Sequence, residues 1–198
     1  MPQPANELHR LVEEFRALPA DDDRRRAIVA ELGADATAVA AAPFLTSVVA
    51  DPHEYDLARA EAAVVLRLWP PSDPAAARAA TRALLTALDD LDEDLVRQYA
   101  AHALGSYADD PAAHAALTAA VLDDDEDADT LVRYNALAAL EEAGPSDARA
   151  DVLRALARDP ELGRAATRVL TDWGRANDDG GGIAGAGDGG DVTGDGPA

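Results

Sequence analysis

The sequence predicts an all-α protein, an α-solenoid of about five stacked antiparallel helix pairs. The main observation is a helical pattern that recurs along the chain and is clearest in Asp94-Leu-Val-Arg97, followed by Ala100 and Leu104-Gly105. Its leucine recurs at intervals of 34, 38, 36 and 30 residues, a period typical of repeats built from two helices. These leucines are Leu32, Leu66, Leu104, Leu140 and Leu170. β-structure is disfavoured because the chain has only two isoleucines and 4% aromatic residues.

The first helix of most pairs is predicted from a repeated start signal. Asp73-Pro74 and Asp110-Pro111 each combine a capping carboxylate with a proline whose backbone suits the first helical turn. The two signals lie 37 residues apart. Asp35 lies 38 residues before Asp73, and Ser146 lies 36 residues after Asp110. The helix starts therefore repeat with the same period as the leucines.

The second helix of each pair is predicted from apolar residues that share one helical face. Val96, Ala100, Leu104 and Tyr107 follow the spacing i, i+4, i+8, i+11, and the fourth copy repeats it. Loop signals follow at Trp69-Pro-Pro-Ser72 and Gly144-Pro145. The predicted pairs span 5–33, 35–70, 73–108, 110–144 and 146–174 within a repeat domain of residues 1–175.

Residues 176–198 differ sharply in composition from the repeats. They contain nine glycines and five aspartates, with Ile183 and Val192 as the main apolar side chains. Such a segment cannot bury enough apolar surface to offset the entropy lost on ordering. The sequence therefore predicts a disordered tail.

The charge balance is extreme, since 38 acidic residues oppose 17 basic residues, all of them arginine. A net charge of −21 disfavours binding to nucleic acid or to an anionic membrane. The lysine-free, aspartate-rich composition is also similar to that of proteins from salt-loving archaea. At roughly 1 M salt the Debye length is about 3 Å, so surface repulsion is screened. We therefore interpret the acidity as an adaptation to salt.

Other classes of protein are disfavoured by residues that the chain lacks. It has no cysteine, so disulfides, thiolate metal sites and cysteine nucleophiles are excluded. No stretch approaches the roughly 20 apolar residues of a membrane span, and the N-terminus has no apolar signal segment. The sequence predicts a soluble, cytoplasmic protein.

The pattern Asp-x-x-Arg, then alanine, then Leu-Gly, as in Asp94 to Gly105, resembles the second helix of HEAT repeats, particularly the short type of phycobilin lyases. The resemblance covers about residues 5–174. It implies a right-handed, curved solenoid whose second helices line a concave surface that binds a protein partner. The fourth copy departs from the pattern, since Asp129 precedes Arg133 by four residues, and in the last copy Gly163 replaces the arginine. The last pair is therefore interpreted as a terminal cap.

The resemblance also implies a structural role for the repeated acidic and basic residues. In such repeats the aspartate and the arginine bond between adjacent repeats. By this resemblance, seven residues are expected to bond between adjacent repeats and to form a structural ladder along the chain. They are Asp22, Arg25, Asp56, Arg59, Asp94, Arg97 and Arg133.

The helical wheel of the second helices predicts the partner-binding face. Side chains beside the buried stripe should share one exposed, curved surface. They are Arg67, Gln98, His102, Tyr134 and Glu141. No set of catalytic residues converges in the sequence, and sites on repeat scaffolds are independent of the fold. The sequence thus predicts a non-enzymatic adaptor or scaffold that binds a protein and needs no cofactor or metal.

Three alternatives stay open. An accessory enzyme of the phycobilin-lyase or HEAT-type iron hydroxylase class is one, although His53-Glu54 is the single His-Glu pair and a di-iron site needs several ligands. A cation site shared by the acidic runs Asp89–Asp94 and Asp123–Asp129 is another, although neither run has the glycine spacing of an EF-hand. The third is a self-associating structural module.

Overall fold

The computed structural model describes residues 4–34, 37–125 and 128–180. Every regular element in these residues is a helix, which confirms the predicted all-α class. Within the described ranges, ten α-helices and one short 3₁₀ helix follow one another. They are α1 (Pro4–Ala17), α2 (Asp23–Leu32), α3 (Thr37–Ala50), α4 (Asp56–Leu68), α5 (Pro74–Leu88), α6 (Asp94–Ala103), the 3₁₀ helix (Leu104–Tyr107), α7 (Pro111–Val121), α8 (Thr130–Glu142), α9 (Asp147–Leu156) and α10 (Gly163–Gly180).

The ten helices form five consecutive pairs, from α1–α2 to α9–α10. The second, third and fourth pairs lie within the ranges 35–70, 73–108 and 110–144, whereas α1 begins one residue before the first range. Helix α10 continues to Gly180, five residues beyond the boundary predicted for the tail. The extension follows from local preference, since residues 175–179 contain no proline or glycine to end the helix. The rest of the predicted tail, 181–198, lies outside the described residues.

Local capping explains where several helices begin. The Asp73 carboxylate accepts a hydrogen bond from the Ala76 amide at 2.8 Å, and the Asp110 carboxylate accepts one from the Ala112 amide at 2.8 Å. Ser146 Oγ accepts from the Arg149 amide at 3.2 Å. These bonds satisfy amides that the first turn of a helix leaves without a partner. Asp35, the remaining start signal, lies outside the described residues.

The two helices of each pair pack against each other, and the helices of the first four pairs also pack against helices of a neighbouring pair. The second helices contact one another in the order α2, α4, α6 and α8, and the first helices do so in the order α1, α3, α5 and α7. One cluster of buried apolar residues runs through all five pairs. Leu32, Leu66, Leu104 and Leu140 are fully buried in it, whereas Leu170 in the last pair is partly buried.

Small residues let neighbouring second helices approach closely. A Cβ atom added to Gly105 would lie 2.9 Å from the Ala139 Cα atom of α8. A Cβ atom at the aligned Gly33 would lie 2.4 Å from Val65 Cγ2 of α4. The glycine of the recurring Leu-Gly pattern therefore faces the second helix of an adjacent pair. In the described part of the chain, no helix has the length and apolarity needed to cross a membrane.

Candidate functional site

The aligned arginines of the second helices include three, Arg25, Arg59 and Arg133, that each contact an acid of the following pair. Arg59 Nη1 of the second pair lies 2.9 Å from Asp90 Oδ2, which belongs to the loop between the helices of the third pair. Arg25 contacts Glu54 in the same way, and Arg133 contacts Asp159. These three ion pairs repeat one geometry along the stack.

Arg25, Arg59 and the aligned Arg97 also bind the end of the first helix in their own pair. Arg25 Nη2 donates to the Leu18 carbonyl at 3.0 Å, and Arg59 Nε donates to the Val49 carbonyl at 3.4 Å. Arg97 Nε donates to the Leu88 carbonyl at 3.2 Å. Carbonyls at a helix end lack partners within the helix, so each guanidinium supplies a missing donor. Arg25 and Arg59 therefore contact both their own pair and the following one.

The aspartates predicted to join this ladder have more local contacts. Asp22 caps α2 by accepting from the Arg24 amide at 2.8 Å. The Asp56 carboxylate accepts from the Leu57 amide at 2.7 Å. Asp94 lies 3.5 Å from Arg97 of its own helix and is 74% exposed.

The acids that do contact the arginines were missed because they do not keep a constant register. Glu54 precedes the arginine of its own pair by five residues, whereas Asp90 precedes Arg97 by seven. The loops differ in length, so aligning the helices does not align these acids. The sequence could have indicated only that the loop between the two helices of each of these pairs contains an acidic residue.

Two of the residues predicted for the partner-binding face, Arg67 and His102, converge on Glu142. Arg67 Nη1 lies 2.9 Å from Glu142 Oε2, and His102 Nε2 lies 3.1 Å from Glu142 Oε1. Partial burial raises the pKa of Glu142, but the hydrogen bonds and charges of His102 and Arg67 outweigh it. The pKa of this carboxyl is therefore below its usual value. Arg67 and Glu142 lie on α4 and α8, so their contact bridges the end of α6.

The side chains of the other three residues predicted for the partner-binding face form no hydrogen bond or ion pair with Glu142. Gln98 Nε2 donates to Asp129 Oδ2 at 3.2 Å, which joins α6 to the cap of α8. Both terminal nitrogens of Arg168 on α10 lie 2.9 Å from the Glu141 carboxylate. Tyr134 is 45% exposed and makes no hydrogen bond through its hydroxyl to any described residue. All five predicted residues lie on second helices, but only Arg67 and His102 share a partner.

The exposed apolar side chains of this surface were missed by the sequence analysis. Leu68, Tyr99 and Leu131 are 56%, 40% and 55% exposed, respectively. Tyr99 lies three residues before His102, and Leu131 lies three residues before Tyr134, so helical spacing could have identified both. We use the term second-helix surface for the following partly or fully exposed residues of α4, α6 and α8. They are Leu57, Glu61, Val64, Arg67, Leu68, Leu95, Gln98, Tyr99, His102, Leu131, Tyr134, Asn135, Ala138, Glu141 and Glu142.

The residues considered for metal binding were also located. His53 is exposed, and the carboxylate of the adjacent Glu54 binds Arg25. Asp129, in the second acidic run, caps α8 through the Leu131 amide at 2.8 Å. Across residues 4–34, 37–125 and 128–180, no group of three or more His, Cys, Asp or Glu side chains is arranged to hold a metal ion.

Comparison with known proteins identified no relative. No protein-family model matches the chain, and no curated protein or solved structure matches it significantly.

Proposed function

We propose that this chain is a non-enzymatic adaptor, a HEAT-like α-solenoid that binds a protein partner through the second-helix surface. The observation that carries the proposal is the set of exposed aromatic and aliphatic side chains on α4, α6 and α8, in a chain of net charge −21. The centres of protein interfaces are poor in charge and rich in tyrosine. The second-helix surface offers Tyr99 and Tyr134 to a partner, together with the exposed Leu68 and Leu131.

The few charges on this surface already have partners. Arg67 and His102 contact Glu142, and Glu61 lies 3.2 Å from Arg26 of α2. A partner that covered the surface would not bury an isolated charge, which is the costly event in desolvation. Because Glu142 already neutralises Arg67, the surface favours a protein over a small anion as ligand.

Two sets of contacts support the solenoid arrangement. First helices pack on first helices and second helices on second helices, and the Arg25, Arg59 and Arg133 ion pairs run from one pair to the next. Stacked repeats that contact mainly their neighbours have this organisation. The contact from Arg67 to Glu142 across α6 favours a surface that curves inward at this end of the second helices.

The binding proposal predicts that the tyrosines dominate the interaction. The immobilised chain should capture a partner from a lysate of the source cells in roughly 1 M KCl, where surface charge is screened. Calorimetry with the purified partner should then show binding about tenfold weaker for Tyr99→Ala and for Tyr134→Ala, since central tyrosines are frequent hot spots.

Val39→Ala provides the matched control, because Val39 is 47% exposed on α3, a first helix. This variant should bind within about twofold of the parent chain. Equal losses for all three variants, or no saturable partner, would contradict the proposal. A dimer that Tyr134→Ala dissociates in light scattering would favour the self-association alternative, and turnover of a small molecule would favour the enzyme alternative.

We also propose that the acidity adapts the chain to high salt. Residues 1–175 alone carry a net charge of −16. The Debye length is about 10 Å at 0.1 M salt and about 3 Å at 1 M, so repulsion between neighbouring repeats is strong only in dilute buffer. We expect a reversible loss of helical circular dichroism when KCl is lowered from roughly 1 M to 0.1 M. Unchanged helicity would refute the adaptation, and dilution at constant KCl controls for protein concentration.

A further inference from the structure

The third and fourth helix pairs form an open groove of about 370 Å³ at the edge where their interhelix loops lie. Its apolar lining comes from the end of α5, the following loop, the outer side of α7 and the start of α8. The apolar residues are Leu88, Leu91, Ala116, Ala119, Ala120 and Val132. We call this cleft the edge groove. None of these residues belongs to the second-helix surface.

Large apolar side chains around the edge groove are exposed to solvent. Leu91 is 75% exposed, more than any other large apolar side chain in the described residues. Leu122, at the start of the loop between α7 and α8, is 38% exposed. Burying one such side chain is favourable by roughly 1.5–3 kcal/mol. The groove and its leucines therefore favour an occupant with apolar side chains.

The charge around the edge groove is negative. Asp89, Asp123 and Asp129 line it, and the described loop residues 89–93, 122–125 and 128–129 include no basic residue. Arg97 and Arg133 also line the groove, but Arg97 donates to the Leu88 carbonyl and Arg133 pairs with Asp159. A ligand therefore needs basic groups to complement the acidic side chains around the groove.

We propose that the edge groove binds a basic amphipathic segment of another protein. One or two large apolar side chains of that segment occupy the groove, and its lysines or arginines face the acidic rim. The volume lies at the lower end of the roughly 300–1,000 Å³ of small-molecule sites, which suits side chains better than a cofactor. The groove lies outside the second-helix surface, so this site does not depend on the function proposed above.

The test uses a labelled synthetic peptide of about five helical turns, with leucine on one face and arginine on the other. Fluorescence anisotropy is measured at the lowest KCl concentration at which circular dichroism shows the chain fully helical. Ala119→Trp fills the groove without changing its charge, and it should weaken binding at least about tenfold. Ala115→Trp is the matched control, because Ala115 is exposed on the same helix but does not line the groove. It should change binding by less than about twofold.

A scrambled peptide of the same composition separates the groove from general attraction to an acidic chain. We expect the scrambled peptide to bind at least about tenfold more weakly than the amphipathic peptide. Equal binding of the two peptides, or equal affinity of the Ala119→Trp and Ala115→Trp variants, would overturn the proposal. Light scattering tests whether a second copy of this chain occupies the groove. A dimer that dissociates in the Ala119→Trp variant, but not in the Ala115→Trp variant, would identify such a copy. That result would also overturn the proposal of a basic segment from another protein. Normal binding by Tyr99→Ala and Tyr134→Ala would separate this site from the second-helix surface.

Discussion

Replacing Arg59 by alanine should lower the free energy of unfolding by about 3 kcal/mol, because breaking a buried ion pair strands the remaining charge. Arg59 is 2% exposed, and its guanidinium joins Asp90 of the following pair to the Val49 carbonyl of its own pair. The variant removes both connections and leaves a cavity between the second and third pairs. The 18% exposure of Asp90 lets water reach the stranded carboxylate, which keeps the expected loss at the lower end of the range for such pairs.

The measurement is urea unfolding at constant high KCl, followed by circular dichroism. Urea is required because guanidinium chloride would itself change the ionic strength. Arg154→Ala is the matched control, since Arg154 forms an exposed pair with Asp151. That variant should stay within about 0.5 kcal/mol of the parent chain. If the two variants lost equal stability, Arg59 would not be a connector between repeats.

The substitution Gly105→Ala should destabilise the chain by about 2 kcal/mol, although alanine is normally the better helix former. The added Cβ atom would lie 2.9 Å from both the Cα atom and the carbonyl oxygen of Ala139. These are backbone atoms of α8, so relief requires the two second helices to separate. Overpacking of this kind typically costs about 1–3 kcal/mol.

Gly174→Ala is the matched control for this substitution. Gly174 lies within α10, and a Cβ atom there would have no neighbour within 4 Å. Its replacement should stabilise the chain by about 0.5–1 kcal/mol through helix propensity alone. Gly33→Ala should fall between the two, because its close neighbour is the Val65 side chain, which can shift. Equal effects at Gly105 and Gly174 would show that the helices are not in close contact at Gly105.

The amino-acid sequence by itself determined the helix pairs. Asp73-Pro74 and Asp110-Pro111 start helices through bonds to amides two or three residues away, so the sequence alone predicts them. The leucine spacing likewise identified Leu32, Leu66, Leu104 and Leu140, which are all fully buried. The repeat pattern likewise identified Arg25, Arg59 and Arg133, because each occupies a constant position in its helix.

Only the tertiary structure decided which side chains meet. Glu54, Asp90 and Asp159 complete the arginine contacts from loops of unequal length, so no fixed spacing indicates them. Arg67 and Glu142 are 75 residues apart and touch because α4, α6 and α8 stack side by side. The edge groove likewise combines residues of α5, α7 and α8. Local hydrogen bonds and helical period can be read along one chain segment, whereas the surfaces available to a partner depend on how separate segments pack.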